Sequence, residues 1–162
     1  MMKKIIFTLL LVSAVLLIML VMMGPVFAGT SSGVSVTVTA KNISISVSPT
    51  TYNYGVLALG TTTETASSFT ATNDGNVTEN FLIRGADTAN WALAATPGTD
   101  QYEHDWKRGS GSYAALTTSN AAAGGSVLAG ANLPNYKFQI HMPTSSASYA
   151  QQATTVTFVA TE

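Results

Sequence analysis

The chain has 162 residues, of which 46% are apolar and only 9% are charged, and it contains no cysteine. The lack of cysteine excludes disulfides, thiolate metal sites and cysteine nucleophiles. The seven Lys and Arg residues form no basic stripe, so the sequence predicts no nucleic-acid partner.

Residues 1–28 have the pattern of a signal peptide. A short basic start precedes an apolar run over residues 5–23, and a Gly-Pro pair ends this run. Val26 and Ala28 are the small residues that a signal peptidase requires, so we expect cleavage after Ala28 and a secreted, extracellular or cell-surface protein. The alternative is an uncleaved leader that nearly spans a bilayer, and only such a leader would give the protein a membrane contact.

Residues 31–40 form the first predicted strand of the mature chain. Val34, Val36, Val38 and Ala40 alternate with Ser and Thr, and no charged residue interrupts them. This alternation is typical of a strand with one apolar face. Such a strand can pair within its own domain, or it can complete the sheet of a neighbouring copy as a donor strand. The four apolar residues are therefore candidate subunit-interface residues.

Similar alternation continues to the end of the sequence, with turn signals such as Asn73–Asn76 between the segments. The apolar faces of the predicted strands are formed by Ile43, Ile45 and Val47; Tyr52, Tyr54 and Val56; Phe69 and Ala71; Val77, Phe81 and Ile83; Trp91 and Leu93; Tyr102, His104 and Trp106; Tyr136, Phe138, Ile140 and Met142; and Val156, Phe158 and Ala160. Leu116 and the Val127-Leu128 pair mark short strands on either side of residues 121–125, which we expect to be flexible.

About eight or nine short strands at regular spacing predict an all-β fold, an antiparallel β-sandwich of the immunoglobulin-like or jelly-roll type. We expect residues 29–162 to form it as a single domain. The predicted core consists of Phe69, Phe81, Ile83, Phe138, Ile140, Val156 and Phe158.

From Ile45 onward the chain resembles secreted prokaryotic immunoglobulin-like surface proteins. The resemblance is carried by turn and core residues: Ser48-Pro49, Tyr52-x-Tyr54-Gly55, Thr72 to Val77, Trp91-Ala92-Leu93 with Pro97-Gly98, and Met142-Pro143-Thr144. The order of elements is also loosely similar to the TasA and camelysin group of extracellular fibre subunits. The resemblance implies a sandwich fold and a surface location, and it carries no active site.

The densest group of polar residues is Asp100, Glu103, His104 and Asp105. These residues are either a calcium site or a solvated hairpin of mixed charge, and the spacing of the known calcium loops is absent. His141 is out of phase with Ile140 and is expected to face solvent. No set of zinc ligands can be assembled from the sequence, so we assign no metal site and no cofactor.

The aromatic residues Trp91, Tyr102, Trp106 and Tyr113 have two interpretations. They could form an exposed platform for glycans, or they could be buried in the sandwich core. Asn42-Ile43-Ser44 and Asn76-Val77-Thr78 match the acceptor pattern for N-glycosylation.

No nucleophile elbow, phosphate-binding loop or dinucleotide fingerprint is present, so we expect no enzymatic activity. The alternating segment at residues 31–40 favours a non-enzymatic extracellular structural subunit of a filament, pilus-like fibre or surface layer, with further copies of the same chain as partners. The alternative is a monomeric secreted binding module for glycans or a cell-surface partner.

Overall fold

The structure is a computed structural model that describes residues 8–14, 29 and 32–162. The chain divides into two compact units, Met1–Val38 and Thr39–Glu162. In the first unit, residues 8–14 are helical and residues 32–38 belong to no strand or helix. The rest of the predicted signal peptide, including its cleavage site after Ala28, lies outside the described residues. No helix among the described residues is long and apolar enough to cross a membrane.

The second unit is built from strands, which confirms the predicted all-β class. The strands of the described residues are β1 (Ile45–Ser48), β2 (Thr62–Glu64), β3 (Phe69–Asn73), β4 (Glu79–Arg84), β5 (Ala92–Leu93), β6 (Gln101–Arg108), β7 (Ala114–Ala115), β8 (Ala121–Val127), β9 (Asn132–His141) and β10 (Thr157–Thr161).

Two sheets form a sandwich-like arrangement. The larger sheet has the order β1-β3-β9-β6-β5, with β2 paired to β9 and β7 paired to β6. The smaller sheet has the order β10-β4-β8. All pairings are antiparallel except that of β5 with β6, which is parallel. The two longest strands, β6 and β9, are neighbours and form the centre of the larger sheet.

The core lies between the inner faces of the two sheets. Four residues of the predicted core are buried: Phe69, Phe81, Ile83 and Phe138. The other three, Ile140, Val156 and Phe158, are half-buried and pack against the buried clusters. Residues from both sheets thus share one apolar layer, and burial of this layer is the main source of stability in a domain without disulfides.

Residues 121–125 are not a flexible stretch, as the sequence predicted, but belong to β8. Their small side chains make room for large ones from β9: the Tyr136 hydroxyl donates a 2.8 Å hydrogen bond to the Ala123 carbonyl. A Cβ atom at Gly124 would collide with the side chain of Leu133. The strand therefore forms because its neighbours fill the space above it, although Ala and Gly have weak strand propensity.

The predicted strands at residues 52–56 and 31–40 are absent among the described residues. Residues 52–56 form a loop that is held by side chains. The Tyr52 hydroxyl accepts a hydrogen bond from the Ala66 amide at 2.8 Å, and the Tyr54 hydroxyl lies 3.2 Å from His104 Nε2. Residues 32–40 have no strand pairing.

Asn73, at the end of β3, connects three parts of the backbone although its side chain is completely buried. Its amide nitrogen donates to the carbonyls of Val77 and Val127, both at 2.8 Å, and its amide oxygen accepts from the Gly75 N–H at 2.8 Å. The side chain thus holds the β3–β4 turn and the end of β8 together.

We expect Asn73→Leu to lower the free energy of unfolding by about 2 to 4 kcal/mol, because it leaves several buried backbone groups without partners. Urea denaturation followed by circular dichroism measures this. Asn53→Ala is the control, because Asn53 is exposed and makes a single local hydrogen bond to the Gly55 amide. Equal loss of stability in the two variants would contradict the role of Asn73.

Candidate functional site

The arm, which we define as residues 32–40, exposes the predicted interface residues to an unusual degree. Val34, Val36 and Val38 expose 86%, 86% and 95% of their surface, and Ala40 is also exposed. Three β-branched apolar side chains at every second position are well suited to packing against a sheet. The described part of the chain gives them no such sheet pairing.

The base of the arm is fixed by hydrogen bonds to the β3–β4 turn. The Asn76 side chain donates to the Ala40 carbonyl at 2.7 Å and accepts from the Asn42 amide at 2.8 Å. Just beyond, the Ser44 amide donates to the buried carboxylate of Glu79 at 2.8 Å. Because both polar ends of the Asn76 side chain are used here, a glycan on Asn76 would compete with this anchor.

The edge strands β1 and β10 leave part of the core only partly covered. Within the described residues β1 pairs only with β3, and β10 pairs only with β4. These two strands lie near each other. The apolar residues on them, and Val156 just before β10, pack against the core but remain half-buried: Ile45, Val47, Val156, Phe158 and Ala160. The outer edge of β10, with the sequence TFVAT, is uncharged and unpaired within the described residues.

The outer face of the larger sheet carries a grid of polar residues, which we call the polar face. The register of β2, β9 and β6 places Thr62, His141 and Glu103 in one row. The next row contains Glu64, Gln139 and Asp105, and the third contains Lys137 and Lys107. Sequence reasoning could assign these residues to outward faces, but it could not place them side by side.

Glu64 holds both lysines of the polar face. Its carboxylate oxygens lie 2.9 Å from Lys137 Nζ and 3.3 Å from Lys107 Nζ. The Tyr113 hydroxyl and the Lys137 ammonium stabilise the carboxylate and lower the pKa of Glu64 to about 2. Lys107 also lies over the Tyr113 ring, 4.4 Å from its centroid. This group is a surface ion-pair network in which one carboxylate is shared by two ammonium groups.

The Glu103–Asp105–His141 cluster lies beside this network. One potential ligand atom from each side chain lies within 4.8 Å of the other two. His141 Nε2 is 3.0 Å from Asp105 Oδ2, and His141 Nδ1 is 2.9 Å from Thr62 Oγ1. Burial and the neighbouring Asp105 carboxylate raise the pKa of Glu103. The sequence predicted that His141 would face solvent, but its ring lies against Asp105 and is only half-exposed.

Asp100 and His104, the other two members of the predicted polar group, lie elsewhere. Asp100 accepts hydrogen bonds from the Ser146 hydroxyl at 2.7 Å and the Ala147 amide at 2.9 Å, and these bonds lower its pKa. His104 faces the core, where burial and the charge of His141 lower its pKa to about 4. The four residues that are adjacent in sequence therefore do not form one calcium site.

The aromatic residues do not form an exposed platform. Trp91 and Tyr102 are buried in a small cluster with Met142, and Trp106 is half-buried against the main core. The Trp91 indole donates to Ser146 Oγ at 2.8 Å, and the Tyr102 hydroxyl donates to the Ala86 carbonyl at 2.5 Å. These burials correspond to the core interpretation, because a buried ring cannot stack on a sugar.

No known family model, curated protein or solved structure matches this chain. The similarity to TasA-type and camelysin-type fibre subunits therefore stays a prediction.

Proposed function

We propose that this protein is a non-enzymatic extracellular structural subunit that assembles with copies of itself into a filament or surface layer by β-strand complementation. The observation that carries the proposal is the arm. Its three valines alternate with Ser and Thr, and residues 32–40 contain no charged side chain. The valines expose 86–95% of their surface. Apolar surface exposed in such a regular pattern is typical of an interaction site.

The proposed partner is a second copy of the same chain. We infer that the arm of one copy adds to the outer edge of β10 in the next. That edge offers unpaired backbone N–H and C=O groups, and an incoming strand would satisfy them. The half-buried Phe158 and Ala160, together with Val47 of the nearby β1, would then be covered by the valines of the donor.

The arm and β10 are compatible in length and in charge. Residues 34–40 span about 23 Å as an extended strand, which is enough to run along the five residues of β10. Neither segment contains a charged side chain, so the joint buries no unpaired charge. The hydrogen bonds of Asn76 hold the backbone at Ala40 and Asn42, at the end of the arm, in every copy.

Because donor and acceptor are different surfaces, each copy has one of each. A contact of this kind repeats head to tail and yields an open fibre rather than a closed dimer. The alternative, a monomeric module that binds glycans, has less support, since Trp91 and Tyr102 of the predicted platform are buried.

Deletion of residues 29–40 from the protein lacking residues 1–28 tests the proposal. We expect the intact form to build linear polymers, visible by electron microscopy and analytical ultracentrifugation, and the deletion form to stay small. A synthetic peptide of residues 32–40 should raise the thermal midpoint of the deletion form, whereas a scrambled peptide should not. If both forms are folded monomers that ignore the peptide, the proposal is wrong.

A further inference from the structure

The Glu103–Asp105–His141 cluster contains a buried carboxylate with an unsatisfied oxygen. Asp105 exposes only 7% of its surface, and its Oδ1 atom has no hydrogen-bond partner among the described residues. A buried, unpaired carboxylate oxygen is costly, so native proteins normally satisfy it with a donor or a cation. The lysines closest in the grid do not serve this purpose, because both are bound to Glu64.

We propose that Glu103, Asp105 and His141 bind a divalent transition metal ion, with Zn²⁺ as the ion that fits best. The cluster offers two carboxylates and one imidazole from the paired strands β6 and β9. Ca²⁺ prefers six to eight oxygen ligands and Mg²⁺ an octahedral oxygen shell, whereas a mixture of nitrogen and carboxylate oxygen is typical of zinc. This inference is independent of the proposed polymerisation.

The observed distances need only small adjustments to admit the ion. Two atoms bound to one tetrahedral zinc lie about 3.3 Å apart, since each is about 2.0–2.1 Å from the metal. His141 Nε2 and Asp105 Oδ2 are already 3.0 Å apart, and the Glu103 carboxylate lies within 4.8 Å of both groups. Glu103 and His141 are half-exposed, which leaves the outer side open for a water molecule as fourth ligand.

Thr62 provides the outer support that a metal-binding histidine normally has. His141 Nδ1 lies 2.9 Å from Thr62 Oγ1, and the two residues are directly opposite each other on β2 and β9. When Nδ1–H donates to the hydroxyl, Nε2 is left with a lone pair that faces Asp105. Such a partner fixes the tautomer and ring orientation of a ligating histidine.

The test uses tag-free protein treated with a chelator and then titrated with ZnCl₂ by isothermal calorimetry. We expect saturable binding of one ion per chain and a rise of about 5 °C or more in the thermal midpoint at saturation. His141→Gln and Glu103→Gln should each weaken binding at least tenfold, and Thr62→Val about tenfold. Asp74→Asn, which removes an exposed carboxylate in the β3–β4 turn, outside the cluster and its lysine neighbours, should bind zinc like the wild type.

His141→Gln is the main variant, because its folding can be expected and checked. Asp105 is buried, so Asp105→Asn could unfold, whereas the half-exposed His141 tolerates replacement more easily. Absence of zinc binding by the folded wild type would overturn the proposal. So would unchanged affinity in folded His141→Gln, or tighter binding of CaCl₂ or MgCl₂ than of ZnCl₂.

Discussion

Val36→Asp should abolish polymer formation by the protein lacking residues 1–28. In the proposed joint the Val36 side chain enters the apolar layer beside Phe158 and Ala160, and β10 itself contains no Lys or Arg that could pair with a new carboxylate. Burial of an unpaired carboxylate costs several kcal/mol, and about 1.4 kcal/mol corresponds to a tenfold change in affinity. We therefore expect each joint to weaken by about a thousandfold. Sedimentation velocity at fixed concentration measures the loss.

Thr37→Asp is the matched control, because it introduces the same charge one residue later. Successive side chains of a strand point to opposite faces, so residue 37 would face solvent in the joint. This variant should polymerise nearly as well as the wild type. Because Val36 is exposed in the chain itself, neither change should affect the folding of a single copy. If the two variants assemble equally well, the arm does not bind through its valine face.

Phe138→Ala should lower the free energy of unfolding by about 3 to 5 kcal/mol, the range for aromatic truncation in a packed core. Phe138 is buried at the centre of the larger sheet, with ring centroids 5.0 Å from Phe69 and 5.7 Å from His104. Its backbone carbonyl accepts a hydrogen bond from the Thr65 amide and its amide donates to the Thr65 hydroxyl, so the chain cannot readily collapse into the space. Thermal and urea denaturation measure the loss.

Tyr149→Ala is the control for this prediction, since Tyr149 is also aromatic but exposes 83% of its surface. Its replacement should change stability by no more than about 0.5 kcal/mol. A similar loss in both variants would mean that Phe138 is not part of the stabilising core.

The sequence predicted the all-β class well because most long strands carry large residues in strict alternation. Tyr136, Phe138 and Ile140 of β9 are an example, and they lie toward the core. It failed at β8, whose Ala and Gly residues form a strand only because Tyr136 and Leu133 occupy the space beside them. Propensity describes a segment alone and cannot anticipate a neighbour of this kind.

The Glu103–Asp105–His141 cluster could not be predicted from the sequence, although the faces of its strands could. Alternation along the strand assigned His141 to an outward face, and the alternation of Tyr102, His104 and Trp106 implies the same for Glu103. The pairing register of β6 with β9 could not be predicted from alternation. A slip of two residues would keep every face unchanged but place Gln139 opposite Glu103, and the cluster would not form. Register depends on tertiary contacts that one sequence does not reveal.

The strand pairings also have a kinetic consequence. β2 pairs with β9, and β10 pairs with β4, so both sheets depend on segments that are far apart along the chain. Closing such long loops costs conformational entropy before the stabilising contacts form. Sandwiches of this kind therefore fold in about milliseconds to seconds. The outer edge of β10 exists only after β10 has joined β4. Fibre growth from unfolded chains should therefore begin after a lag that folding, not diffusion, determines.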